Sequence, residues 1–124
     1  MGLRRFRKAK YHAETLRKAA LLLKESGWCQ RAFARDSAGR RIDHDSPSAC
    51  SFCAEGAIWR AIHDNEYAPT AHPWNAKRLF ELHLGQTIHS FNDVRGRGVS
   101  RMIRELLKCA DDISNSSGEF VKYL

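Results

Sequence analysis

The sequence has no long hydrophobic run, which excludes the simplest classes of membrane protein. Among its 124 residues the longest uninterrupted apolar stretch covers residues 19–23, whereas a membrane-spanning helix needs roughly 20 apolar residues. The first ten residues, MGLRRFRKAK, are basic and lack the apolar core of a signal peptide. We therefore expect a cytoplasmic protein without membrane contact, whose four cysteines are thiols or ligands rather than disulfides.

Signatures of common catalytic and nucleic-acid-binding folds are also missing. The chain has no internal repeat, no low-complexity segment and no recognisable helix-turn-helix or zinc-finger pattern. Its aspartates are scattered without the grouping that two-metal phosphatases and nucleases need. These absences argue against metal-dependent hydrolysis and against base-specific reading of duplex DNA.

Negative charge is scarce in the first third of the chain. The formal net charge is +7, yet residues 1–41 carry +9 and the remaining residues carry −2. Such an asymmetry favours a polyanionic partner, either nucleic acid or an acidic surface on a nucleic-acid-binding protein complex. A basic face that only keeps the protein soluble is the alternative.

Helical periodicity is the clearest structural signal in the sequence. It predicts helices over residues 11–26, 46–64, 73–84 and 99–113. The second of these has Ser46 as a cap and Pro47 at the first helical position, while Gly27 and Gly85 end the first and third. TIHSFND is ambiguous between a short helical turn and an extended piece.

The segment after the first helix is predicted to be irregular. It contains Asp36-Ser37-Ala38-Gly39, a turn signal between two short segments that is compatible with a hairpin. We therefore predict a mainly α fold: a compact bundle of about four helices with a long irregular loop or small hairpin after helix 1. Residues 1–10 are assigned to a basic N-terminal arm, 11–113 to a single helical domain and 114–124 to a C-terminal tail.

The Cys50–Cys53 pair allows several interpretations. Both residues fall on the apolar face of the predicted second helix, where cysteine behaves as a small buried hydrophobic residue. Zinc would need two further ligands at suitable spacing, but Cys29 and Cys109 stand alone. Thioredoxin-like redox chemistry would need the pair at a helix N-terminus after a strand.

A cysteine nucleophile is a further alternative. It would combine Cys29 or Cys53 with His83 or His89 and an orienting Asn92 or Asp93. Spatial proximity cannot be read from the sequence, and many such triples exist. We therefore expect no enzymatic activity, no metal and no cofactor.

Three sequence elements together resemble an uncharacterised family of small bacterial and phage proteins. The elements are Trp28-x-Gln30, Cys53-x-x-Gly56-Ala57 and Phe91-Asn92-Asp93, within a resemblance that spans residues 16–112. Two positions depart from the family pattern, since Phe91 stands in place of a tryptophan and Arg31 in place of a glycine. The resemblance implies a small, mainly helical protein often carried on mobile elements, without an established activity.

We expect a non-enzymatic binding protein, associated with a phage or another mobile element, that acts on nucleic acid or on a nucleic-acid-handling host defence complex as an inhibitor or modulator. Lys and Arg contacts to phosphates give salt-sensitive affinity that does not depend on sequence. The candidate contact residues are Arg4, Arg5, Arg7, Lys8, Lys10, Arg31, Arg35, Arg40, Arg41, Arg95, Arg97, Arg101, Arg104 and Lys108.

The alternative function is binding or sequestering of a small molecule such as a nucleotide. Its candidate site is a polar pocket in which Trp28 covers the side chains of Gln30, Asn92 and Asp93. If these residues lay more than about 10 Å apart, beyond the reach of hydrogen bonds, no such pocket would exist.

Overall fold

The computed structural model describes residues 2–65 and 74–115, and the side chains of residues 10–65 and 76–115. Five helices and three short strands lie in these ranges. In chain order the elements are α1 (Gly2–Glu25), β1 (Ala34–Arg35), β2 (Arg41–Ile42), β3 (Ser51–Phe52), α2 (Ala54–His63), α3 (Trp74–Leu84), α4 (Ile88–Asn92) and α5 (Val99–Asn115). The predicted mainly α fold with a small hairpin after helix 1 is confirmed.

The core lies between α1 and the two helices that it contacts most extensively, α5 and α2. Leu16 of α1, Ile58 of α2 and Leu106 of α5 are fully buried in one hydrophobic cluster. At the surface, Arg17 of α1 binds Asp111 of α5, with 3.1 Å between Nη2 and Oδ1. The apolar residues at helical spacing thus form the buried faces by which these helices pack together.

The segment after α1 forms a three-stranded sheet in the order β2-β1-β3. β1 pairs antiparallel with β2 and with β3. The turn between β1 and β2 is the predicted one: the Asp36 carboxylate accepts hydrogen bonds from the Ala38 and Arg40 amides, and Gly39 has a φ of 79°. The hydrogen bond from the Arg40 amide lowers the pKa of Asp36.

The predicted start of the second helix is wrong. α2 begins at Ala54 rather than at Pro47, because the chain before it is held in the sheet. The Cys50 amide donates to the Arg35 carbonyl and the Cys53 amide to the Phe33 carbonyl. Cys50 is therefore exposed ahead of β3, and Cys53 is the N-cap of α2. The two cysteines do not share a helix face.

The ends of the other three predicted helices agree closely with their predictions. α1 starts at Gly2, earlier than predicted, and ends one residue before Ser26. α3 ends at Leu84 and α5 runs through the predicted range to Asn115. TIHSFND contains the short helix α4, capped by the Thr87 side chain. The predicted start of the third helix at residue 73 lies outside the described residues.

The division into arm, domain and tail stays a prediction. In the described chain α1 continues without interruption from Gly2 through the proposed boundary at residue 10, while residues 116–124 of the tail lie outside the description. Among the described helices none is both long enough and apolar enough to cross a lipid bilayer.

Candidate functional site: a groove beside a buried asparagine

Asn92, at the end of α4, is the centre of a hydrogen-bond cluster. Its side chain is fully buried, and its Oδ1 accepts from the Trp28 indole at 2.8 Å and from the Ala54 amide at 2.9 Å. Its Nδ2 donates to the Cys29 carbonyl at 3.1 Å and to Asp93 Oδ1 at 3.0 Å. Both donors and both acceptor positions of the amide are therefore used.

Gln30 and Asp93 extend this cluster toward the surface. Gln30 Nε2 donates to the carbonyls of Asn92 and Val94, each at 3.0 Å. Asp93 Oδ1 also accepts from the Arg31 amide at 2.9 Å. The loop after α1, the start of α2 and the end of α4 are joined in this way.

The side chains of the candidate polar pocket are therefore in mutual contact rather than far apart. Trp28, Gln30 and Asn92 direct their polar atoms at one another or at the backbone. Their hydrogen-bonding capacity is largely used within the protein, which indicates that they position the surrounding loops. A ligand role for these four residues stays a prediction.

Gly56 brings the loop before β1 against the start of α2. A Cβ atom at Gly56 would lie 1.9 Å from the Phe33 carbonyl oxygen, so a side chain there is incompatible with this packing. The same carbonyl accepts from the Cys53 amide, and Cys53 Sγ accepts from the Gly56 amide at 3.2 Å. Cys53-x-x-Gly56 thus holds the backbone of Phe33 in place.

A groove of about 440 Å³ opens beside this contact. Its volume is within the range of about 300–1,000 Å³ that small-ligand sites occupy. The lining residues come from the loop before β1, from β2 and its exit, from the N-cap of α2, and from α4 and its C-cap. They are Arg31, Ala32, Phe33, Arg41, Ile42, Asp43, Cys53, His89 and Asp93.

Two arginines supply the positive charge of the groove. The guanidinium groups of Arg31 and Arg41 are exposed, and neither makes a hydrogen bond or ion pair with the described part of the chain. Asp43 and Asp93 supply carboxylates, and Asp43 is also exposed without a side-chain partner among the described residues. The groove is therefore of mixed charge, with cationic and anionic groups both facing solvent.

Arg31 has an unusual backbone conformation. Its φ is 64°, and it is the one non-glycine residue with a positive φ in the described chain. This left-handed region favours glycine and costs other residues roughly 1–2 kcal/mol. The amide of Arg31 is fixed by Asp93, which keeps the residue in this conformation. An arginine here is tolerated at a cost to folding.

Phe33 provides an aromatic surface at the groove. Its side chain is 51% exposed, although its backbone is fixed by Cys53 and Gly56. The sequence interpretation did not single out Phe33. The segment RAFAR alternates basic residues with an aromatic, and this pattern of nucleic-acid-binding surfaces is the signal that would have found it.

Cys29 and Cys53, the two cysteines of the nucleophile alternative, have the properties of buried thiols rather than of nucleophiles. Burial raises the pKa of Cys53 to about 12 and also raises the pKa of Cys29. Cys53, His89 and Asp93 do line the same groove, as the nucleophile alternative requires. A nucleophilic cysteine, however, needs a lowered pKa. In the described residues no group of three metal-ligating side chains is placed to hold an ion.

The other predicted contact residues are in different environments. Arg35 donates to the carbonyls of Gly39 and Gln30, so it supports the hairpin. Arg40 pairs with Asp36, and Arg97 lies 3.8 Å from the Phe91 ring centroid. Arg101 binds Glu105 at 3.4 Å. These four cations are used at least in part within the fold.

Several predicted contact residues are exposed outside the groove. This group comprises Lys10, Arg95, Arg104 and Lys108. The side chains of Arg4, Arg5, Arg7 and Lys8 lie outside the described residues. Of the predicted basic set, the structure brings only Arg31 and Arg41 together in the groove, within the side chains that it describes.

A family model described as family of unknown function (DUF6197) matches residues 8–112 of the chain. The matched range contains the asparagine cluster and every residue that lines the groove. No curated protein and no solved structure matches the chain.

Proposed function

The chain belongs to this family of unknown function, and because the family supplies no activity we propose one from the groove: non-catalytic binding of nucleic acid. In this proposal Arg31 and Arg41 contact phosphate groups, and the positive net charge of residues 1–41 adds salt-sensitive attraction. Arg guanidinium groups suit phosphates because their planar donors match the geometry of the oxygens.

Arg31 carries the proposal. Arg31 lines the groove and its exposed side chain has no partner among the described residues, yet its backbone occupies a region where glycine would cost less. Strained residues persist where a function outweighs the cost to stability. The described contacts assign the Arg31 side chain no role in the fold. We therefore attribute its presence to the binding of a ligand outside the chain.

Binding is favoured over cysteine catalysis by the state of Cys53. Because burial raises its pKa to about 12, only a negligible fraction of this thiol is ionised near neutral pH. A Cys53–His89–Asp93 nucleophilic site would require the opposite. The thiol instead accepts from the Gly56 amide and caps α2.

A second part of the proposal concerns the cellular role of the protein. The resemblance to bacterial and phage proteins supports a role on a mobile element, where the protein would inhibit or modulate a nucleic-acid-handling host defence complex in the cytoplasm. Affinity purification from the native cell, with and without nuclease, tests this part. Recovery of one protein complex after nuclease treatment supports it, and recovery of nucleic acid alone contradicts the inhibitor role.

A free nucleotide is the second candidate ligand, favoured by the volume of the groove. A bound nucleotide would copurify and be released on denaturation, with absorbance near 260 nm. Its absence from protein that binds oligonucleotides would remove this candidate.

The test of the main proposal is an Arg31→Gly variant, which removes the guanidinium and relieves the backbone. We expect its thermal stability to be unchanged or slightly raised. Its affinity for a labelled single-stranded oligonucleotide, measured by fluorescence anisotropy, should fall about tenfold, as expected for a lost charge-assisted contact. Arg104→Gln is the matched control, because Arg104 is exposed on α5 and does not line the groove. Equal losses in both variants would contradict a role for the groove.

A further inference from the structure

The mixed charge of the groove indicates which nucleotides it prefers, and this inference rests on the proposed function. We propose that the groove accepts one unpaired nucleotide whose base carries an exocyclic amine, with the base on Phe33, the amine on Asp43 and the phosphate on Arg31 and Arg41. Adenine, cytosine and guanine have such an amine, whereas thymine and uracil do not.

Phe33 is a fixed stacking surface. Half of its side chain is exposed, while the Cys53 amide and the close approach of Gly56 hold its backbone. Bases stack on aromatic side chains of this kind irrespective of sequence. A base within a duplex is already stacked on both faces and paired along one edge, so it must leave the helix to reach the aromatic ring. The groove should therefore prefer single strands to duplexes.

Asp43 gives the groove a preference that phosphate binding alone would not explain. Asp43 lines the same groove as Arg31 and Arg41, and its exposed side chain has no partner among the described residues. An ionised carboxylate only accepts hydrogen bonds and repels phosphate. A ligand that fits both charges must present a donor as well as an anion. An amino-bearing base joined to a phosphate has this combination, because its exocyclic amine offers two N–H donors. Thymine and uracil offer only one ring N–H, which lies between two carbonyls that a carboxylate repels.

Asp93 has a different role from Asp43. Its Oδ1 already accepts from the Arg31 amide and from Asn92, so it fixes the position of Arg31. His89 is exposed at the same groove and is not required by the proposal. Asp43 is therefore the group that distinguishes amino-bearing bases from thymine and uracil.

The experiment compares oligo(dC) with oligo(dU) of equal length, because their bases differ along one edge only. Cytosine has an amine and an unprotonated ring nitrogen there, whereas uracil has a carbonyl and a ring N–H. Anisotropy titrations use the parent protein, Phe33→Leu, Asp43→Asn and the Arg104→Gln control, with folding checked by circular dichroism. We expect the parent to bind oligo(dC) several-fold more tightly than oligo(dU), and either more tightly than a duplex. Phe33→Leu should weaken both single strands by about fivefold or more. Asp43→Asn should abolish the difference between them, because an amide both donates and accepts.

The outcomes separate this inference from the proposed function. Equal affinity for the two oligonucleotides, or a Phe33→Leu variant that binds like the parent, would overturn the inference even if Arg31→Gly still weakens binding. If neither the oligonucleotides nor the free nucleotide dCMP binds, both ideas fail. A further arm with the free nucleotide dCMP identifies the source of the ligand. Binding of dCMP without oligo(dC) supports the same site with a free nucleotide and contradicts the nucleic-acid function.

Discussion

Replacement of Asn92 by alanine should strongly destabilise the protein. The fully buried amide makes four hydrogen bonds that join three segments. Alanine would leave the Trp28 indole, the Ala54 amide and the Cys29 carbonyl without their partner. An orphaned buried polar group costs about 1–3 kcal/mol.

Three orphaned groups therefore give an expected loss of roughly 3–6 kcal/mol. The upper limit is reduced because water that enters can bind the indole of Trp28, which is more exposed than the other two groups. Alanine's better helix propensity returns only about 0.5 kcal/mol. Because small domains are stable by about 5–15 kcal/mol, much of the total stability would be lost. Asn92→Asp should not restore the lost stability, because its second carboxylate oxygen would face the Cys29 carbonyl and the Asp93 carboxylate where Asn92 has a donor.

Urea unfolding followed by circular dichroism measures this loss. Asn115→Ala is the matched control, because Asn115 is exposed at the end of α5, and surface substitutions usually change stability by about 0.5 kcal/mol or less. A loss below about 1 kcal/mol for Asn92→Ala would refute the reasoning, because three orphaned groups cannot cost so little unless the cluster is absent.

Two further predictions concern α2 and the buried thiols. Gly56→Ala should cost about 2 kcal/mol or more in urea unfolding despite the gain in helix propensity, because its Cβ would lie 1.9 Å from the Phe33 carbonyl oxygen. The control Gly98→Ala, with no atom within 4 Å of the added Cβ, should cost about 1 kcal/mol or less. Equal losses of stability in the two variants would contradict the contact between Gly56 and Phe33. Burial raises the pKa values of Cys53 and Cys109 from 9.0 to about 12, so between these values the unfolded chain releases protons that the folded chain keeps. The free energy of unfolding should therefore fall as the pH rises above 9. This fall should be shallower in Cys109→Ala, because one of the two thiols is gone. A free energy of unfolding that falls equally steeply with pH in the parent and in Cys109→Ala would contradict the burial of Cys109.

Periodic segments were predictable from the sequence. α1 and α5 follow from apolar residues at helical spacing, and the hairpin follows from the turn chemistry of Asp36 and Gly39. These features depend on residues close to one another in the chain, which is why local patterns suffice.

The start of α2 was not predictable in the same way. Ser46 and Pro47 have the local chemistry of a helix start, but long-range pairing of the Cys50 amide with Arg35 places that stretch against the sheet. Cys53 acts as a cap, a role for which serine, threonine, aspartate and asparagine are the preferred residues. Competition between a local signal and a tertiary contact is invisible in the sequence alone.

The candidate site was partly predictable. The shared motifs pointed to Trp28, Gln30 and Asn92, which do meet in one cluster, although their hydrogen bonds serve the fold. The groove combines residues from four separate segments. Its two arginines were in the predicted basic set, but nothing in the sequence separates them from Arg35, whose guanidinium is used by the hairpin.

The salt dependence of binding tests the central claim most directly. Each phosphate contact on a single strand contributes about 0.7 to the slope of log K against log salt concentration. We predict that the double variant Arg31→Gly/Arg41→Gln lowers the slope by about 1.4 relative to the parent, whereas Arg104→Gln/Lys108→Gln, with the same loss of charge, changes it much less. Equal slopes for the parent and the groove variant would contradict the claim that this groove binds nucleic acid.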